Sequence, residues 1–123
     1  VMYGNTAKCS GIISKLLSEG NNPISILRSL INYLKRIQKV KVEIKKGSNF
    51  DSAIKFLRPP LFWKDKDNFQ QHCIRWPLNV IEKNLSQLLD AEINCKFNSK
   101  LSSILCERSI LTICHEGKQH FQN

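Results

Sequence analysis

Phe56-Leu57-Arg58-Pro59-Pro60-Leu61-Phe62-Trp63-Lys64-Asp65-Lys66-Asp67 is the stretch that decides how this chain folds. A residue that precedes proline is pushed out of the helical region, so Arg58 and Pro59 both turn extended. A helix arriving at Leu57 must end there. Phe62 and Trp63 follow as an aromatic pair, and Asp65 offers a charged cap from which a new helix restarts. The segment is a crossing between two helices. It holds no nucleophile elbow, no acid–base pair and no ligand cluster, so it speaks for architecture over chemistry.

Upstream, Ser48-Asn49-Phe50-Asp51 resembles a capping box, with a carboxylate three residues after the serine. It predicts a short helix ending near Leu57. Gly47 stops a long helix over 23–46, which would span roughly 36 Å. The first half of that helix carries Ile24, Ile26, Leu27, Leu30, Ile31, Tyr33 and Leu34 in two stripes, which predicts burial on more than one side. The second half surrounds a thin apolar line, Ile37, Val40 and Ile44, with Lys35, Arg36, Lys39, Lys41, Lys45 and Lys46. Asn22 suits the cap of this helix and Pro23 its first turn. Before it, a helix over 6–19 turns Ile12, Ile13, Leu16 and Leu17 inward, and Gly20 stands where a left-handed cap belongs.

Downstream, a helix over 65–75 points Phe69, Cys73 and Trp76 inward, and Trp76-Pro77 ends it. From 77 to 97 the helical period is clear, with Leu78, Ile81, Leu85, Leu88 and Leu89 on one side. Asn98-Ser99 breaks it. The last helix, over 100–115, is apolar nearly all round, which places it in the middle of a bundle or at an interface. Residues 117–123 are expected to fray. Strand alternation is nearly absent. The fold class is therefore all-α, a single compact bundle of about five to six helices, with one domain over 1–123.

Composition narrows the function. No apolar run approaches the ~18 residues of a membrane span, so no membrane partner is expected. Residues 1–5 lack the layout of a signal peptide and look like the tail of a helix cut from a longer protein. Nineteen Lys+Arg against ten Asp+Glu give a net charge of +9. That balance suits an acidic partner such as nucleic acid or an acidic protein surface, or simply lysine spread over every face. Five cysteines, at 9, 73, 95, 106 and 114, form no Cys-x-x-Cys pair. Set among apolar residues, they are expected to be reduced and buried, which implies a cytoplasmic protein.

Candidate chemistry is thin. Glu92 and Lys96 stand four apart in the favourable order, a surface pair worth roughly 0.2–0.5 kcal/mol. His72, His115 and His120 have no spaced partner, and Cys114-His115 lacks the further ligands of a zinc site. There is no Gly-x-Ser-x-Gly elbow and no Walker loop. No catalytic, cofactor-binding or metal residue is assigned, no cofactor is expected, and the chain is not expected to be an enzyme. Lys35, Arg36, Lys39, Lys45 and Lys46 are candidate DNA-facing residues for non-specific contact, although only Tyr33 supplies a nearby aromatic. Phe62 and Trp63 are either core anchors that pin the crossing or, with Arg58 and Trp76, anchors of an interface.

The order of landmarks adds a resemblance. Ser18-Glu19-Gly20 is followed by Asn22-Pro23-Ile24-Ser25-Ile26-Leu27-Arg28-Ser29-Leu30, then by Leu57-Arg58-Pro59-Pro60, Phe62-Trp63-Lys64, Phe69 and Arg75-Trp76. Asp90-Ala91-Glu92 and Lys96 precede the apolar last helix. Together these resemble the carboxy-terminal domain of the delta subunit of bacterial DNA polymerase III, a clamp-loader family. The resemblance runs from about Gly4 to Cys114. It departs after Lys96, where Phe97-Asn98-Ser99 replaces the family's Gly- or Pro-containing loop. It implies a helical collar domain from an AAA+-type subunit, whose partners are the other clamp-loader subunits. Together they load the sliding clamp on primed DNA. The clamp itself would be gripped by an amino-terminal region outside these residues. Glu92 and Lys96 match an acid and a lysine of the family and are given a structural role. The alternative is a helical module that binds nucleic acid non-specifically.

Overall fold

The computed structural model describes residues 6–121, with side-chain surroundings given within 11–115. The expectation for residues 1–5 lies outside that range, as do the side chains of Cys9 and His120. Six α-helices appear among the described residues, and no strand: α1 (Thr6–Ser18), α2 (Pro23–Lys45), α3 (Phe50–Ala53), α4 (Lys66–Arg75), α5 (Leu78–Phe97) and α6 (Ser102–Phe121). Short 3-10 turns at Ile54–Phe56, Trp63–Asp65 and Ser99–Leu101 link them. The all-α expectation is met.

α2 is the hub. It packs on α5, α6, α3 and α4, while α1 lies on α6. Leu27, Ile31, Leu34, Ile37 and Val40 recur at helical spacing, and all five are buried. From α5 they meet Ile81, Leu85, Leu88, Ala91 and Cys95, from α6 Cys106, Ile110, Ile113 and Cys114, and from α4 Phe69 and Cys73. The thin apolar line of the basic half is thus enough to carry the core two turns further, through Ile37 and Val40. Ile44, at its end, is exposed.

Both glycine stops behave as the sequence predicts. Gly20 has φ 89° and Gly47 has φ 112°. After α1, the Asn21 amide donates to Leu16 O and the Gly20 amide to Leu17 O. After α2, the Ser48 amide donates to Glu43 O and the Gly47 amide to Ile44 O. These are paired Schellman closures, which satisfy the last carbonyls of each helix. Asn22 caps α2, its side chain accepting from the Ile24 amide at 2.8 Å, with Pro23 at the first turn.

Several expectations are corrected. The cap of α3 is Asn49, not Ser48: Asn49 Oδ1 accepts from the Ser52 amide at 2.8 Å, because the Schellman turn at Gly47 already commits Ser48. Asp65 makes no side-chain cap bond at the start of α4. A 3-10 turn leads into that helix instead, with the Asp65 amide donating to Phe62 O. Ile12 and Leu89 face solvent instead of the core. α6 does not end near 115 but continues to Phe121; 122 and 123 lie outside the described residues. Among the described residues no helix is long and apolar enough to cross a membrane.

Candidate functional site

The proline–aromatic crossing is anchored from below and open above. Leu57 is buried and Leu61 partly so. Arg36 of α2 reaches over and donates from Nη1 to Pro59 O at 2.7 Å. Lys66 Nζ meets Asp51 Oδ1 at 2.8 Å, tying α4 to α3 under the crossing. That contact holds the Asp51 carboxyl below its ordinary value and the Lys66 ammonium above its own. The Arg58–Pro59 peptide is cis, and Arg58 folds back to donate to Lys55 O and Leu57 O.

With the chain so held, Phe62 and Trp63 are presented outward, at 55% and 74% exposure. They do not pin the crossing as core anchors. Their ring centroids stand 6.0 Å apart, and Lys64 Nζ lies 5.5 Å from the Trp63 ring. Trp76 is the opposite case. It is fully buried, so it leaves the list of interface anchors and becomes a core residue. Beside the crossing lies a cleft of about 460 Å³ lined by Tyr33, Arg36, Phe62, Asp65, Asn68 and His72, among others. Tyr33 Oη and His72 Nδ1 are 2.5 Å apart, and their rings meet edge to face. Burial pushes His72 down to about 4.

The basic half of α2 is not one uninterrupted stripe. Arg36 faces the crossing. Lys41 Nζ donates inward to Cys73 O at 2.5 Å. Lys46 sits 3.7 Å from Glu43. Lys35 lies on the side of Glu92, whose carboxyl it helps to stabilise. Lys35, Lys39, Lys45 and Lys46 are all exposed.

The Glu92–Lys96 pair is the looser half of a triad. Its contact is 3.8 Å, whereas Arg28 Nε meets Glu92 Oε1 at 2.5 Å. The hydrogen bond from Arg28 holds the Glu92 carboxyl below its usual range. Sequence reasoning missed Arg28, because a contact between residues 28 and 92 leaves no trace in local spacing. Structurally it joins α2 to α5 in antiparallel register.

Cys73, Cys95, Cys106 and Cys114 are free and buried. Burial pushes the Cys73 thiol up to about 12 and Cys106 up to about 11. Neither is a poised nucleophile. Among the described residues no three His, Cys, Asp or Glu side chains converge as a metal site.

A second surface was also missed. Leu89, Ile93 and Phe97 recur every fourth residue along α5, off the buried face, and all three are exposed, Phe97 at 83%. Leu101 and Ile104, across the turn into α6, are exposed as well. The signal was present in the sequence: α5 carries more apolar residues than one stripe can bury.

Over 96 residues, 78% of this chain, the sequence is 30% identical to a probable DNA polymerase III subunit delta of Rickettsia prowazekii (strain Madrid E). The match takes in 29% of that relative's length, so the chain spans under a third of it. No family model matches the chain, and no solved structure matches it.

Proposed function

We propose that this chain is an assembly domain of a DNA polymerase III clamp loader, the collar part of its delta subunit. In this reading it helps to hold together the complex that loads the sliding clamp on primed DNA. It works in the cytoplasm, contacts the other clamp-loader subunits through helix faces, and has no catalytic centre of its own. The similarity to a delta subunit sets the context. The observation that carries the assembly role is the exposed apolar strip of Leu89, Ile93, Phe97, Leu101 and Ile104. Contiguous apolar side chains left on a surface mark a place where another protein sits. Large rings such as Phe97 are favoured there.

The test is co-assembly. The chain is mixed with the collar domains of the partner subunits at low salt and followed by sizing with light scattering. A complex of defined stoichiometry supports the role. Failure to assemble, with every component shown to be folded, overturns it.

A further inference from the structure

Where the end of α4 meets the end of α2, the fold leaves an open cleft of about 420 Å³. Ile44 of α2, Phe50 of α3, Ile74 of α4 and Leu78 of α5 supply its apolar walls, and Lys41 and Lys45 of α2 its charge. We infer that this cleft docks a short acidic peptide of a partner protein. One apolar side chain of the peptide sits between Ile44 and Ile74, and its neighbouring carboxylates meet the two lysines. The inference stands apart from the assembly reading, which concerns the α5–α6 strip.

Three observations converge. First, apolar surface from two helices is left open at one place. Ile74 is 68% exposed, and Ile44 is exposed as well. A single leucine or phenylalanine side chain inserted between them covers both. Second, the site is built before a partner arrives. Pro77 has no N–H, so the Cys73 carbonyl at the end of α4 lacks a helical donor. Lys41 Nζ supplies one at 2.5 Å. That bond holds the Lys41 ammonium at the cleft and leaves it further N–H donors for a carboxylate. Phe50 is set against Phe69 of the core, their ring centroids 6.4 Å apart. A wall already in place loses little freedom on binding. Third, the charge has one sign. Both charged residues of the lining are lysines, one turn apart on α2, and no carboxylate stands among the lining residues. Glu43, between them in sequence, is paired with Lys46. α5 also begins at this wall, at Leu78, with no side-chain cap on its positive end. Gln70 adds an amide that can bond a peptide backbone. An acidic peptide meets a complementary potential here, and a basic one is repelled.

The probe is a dye-labelled, acetylated peptide of sequence Asp-Glu-Leu-Phe-Asp-Glu, titrated into the chain at low salt and followed by anisotropy. Saturable binding is expected. Replacing Leu-Phe by Ser-Ser in the peptide should weaken it by about tenfold, and replacing its four acids by lysine should abolish it. Ile74→Glu, which sets a like charge in the cleft, should weaken the acidic peptide by about tenfold. Lys45→Glu should do the same and flatten the salt dependence. Lys100→Glu makes the same change in net charge at the turn between α5 and α6, and should leave binding within about twofold of wild type. Absence of saturable binding at low salt overturns the inference. Equal binding of the Ser-Ser peptide, or an equal loss in Lys100→Glu, also overturns it and reduces the contact to attraction between net charges. Self-association of the chain that Ile74→Glu removes, seen by light scattering, would give the cleft to a second copy and overturn it as well. If Ile74→Glu is misfolded by circular dichroism, Ile74→Ala replaces it, with an expected loss of about threefold.

Discussion

At the scale of single residues, two buried polar side chains carry predictions. His72 is buried and hydrogen-bonded to Tyr33, with Arg36 and Asp65, of opposite charge, lining the cleft beside it. Burial holds it neutral by lowering it from 6.5 to about 4. The folded state therefore resists a proton that the unfolded chain accepts. Above pH 6.5 both states are neutral and nothing is lost. Between 6.5 and about 4 only the unfolded state is protonated, so stability falls as the pH drops. Going from pH 7 to pH 5 should cost about 2 kcal/mol at this one site. Urea denaturation at the two values, in wild type and in His72→Phe, measures it; equal pH sensitivity in both proteins refutes it. Asn84 is fully buried in α5, and neither its Nδ2 nor its Oδ1 finds a partner among the described residues. An unmet buried polar group costs about 1–3 kcal/mol. Asn84→Leu, which keeps the branching at Cγ, is expected to stabilise the fold by about 1 kcal/mol, visible as a thermal midpoint a few degrees higher. A lower midpoint would mean that the side chain is satisfied. Neither residue was flagged from sequence as buried and polar, since each occupies a helical period also compatible with solvent.

At the scale of elements, most of the fold was legible, and the reason is punctuation. Gly20, Asn22-Pro23, Gly47 and Pro59-Pro60 each act through local backbone geometry, and local geometry is what a sequence states most directly. The errors fall where two local signals compete. Ser48 and Asn49 can both cap a helix, and the choice was made by the closure at Gly47, which requires the Ser48 amide to turn back to Glu43 O. This gives a paired test. Asn49→Ala should cost about 1 kcal/mol through loss of the Ser52 amide bond, while Ser48→Ala should stay within about 0.5 kcal/mol. Equal costs would restore Ser48 as the cap. Gly47→Ala belongs to the same scale. A Cβ there would meet no atom within 4 Å, so any cost comes from φ 112° alone and should be about 1–2 kcal/mol. The candidate sites were less legible than the helices. Exposure of Trp63 against burial of Trp76 turns on which ring the tertiary packing encloses. Arg28 against Lys96 as the partner of Glu92 turns on the α2–α5 register. Both are tertiary facts with no local signature.

At the scale of the whole molecule, the core and the surface compete for the same apolar residues, and the balance is informative. A domain of this size has few helices, so a helix buried on one side has only one stripe to spend on the core. α5 spends Ile81, Leu85, Leu88, Ala91 and Cys95 in that way and still carries Leu89, Ile93 and Phe97 outside. Phe97, at 83% exposure, adds little to the isolated fold, and in water such exposed apolar residues are a liability for unwanted association. Their presence makes sense if a second surface covers them, which yields a prediction that separates assembly from stability. The double variant Ile93→Asp, Phe97→Asp should shift the unfolding free energy of the isolated chain by less than about 0.5 kcal/mol, as exposed positions do. It should weaken co-assembly with partner subunits by more than tenfold, because two carboxylates would be buried unpaired in the contact. Ile110→Asp, in the core, should instead unfold the chain and lose assembly only as a consequence. Urea melts of the isolated variants beside light scattering of the mixtures resolve the two effects. An unchanged complex with the double variant would show that the partner docks elsewhere and that the α5–α6 strip is not the joint.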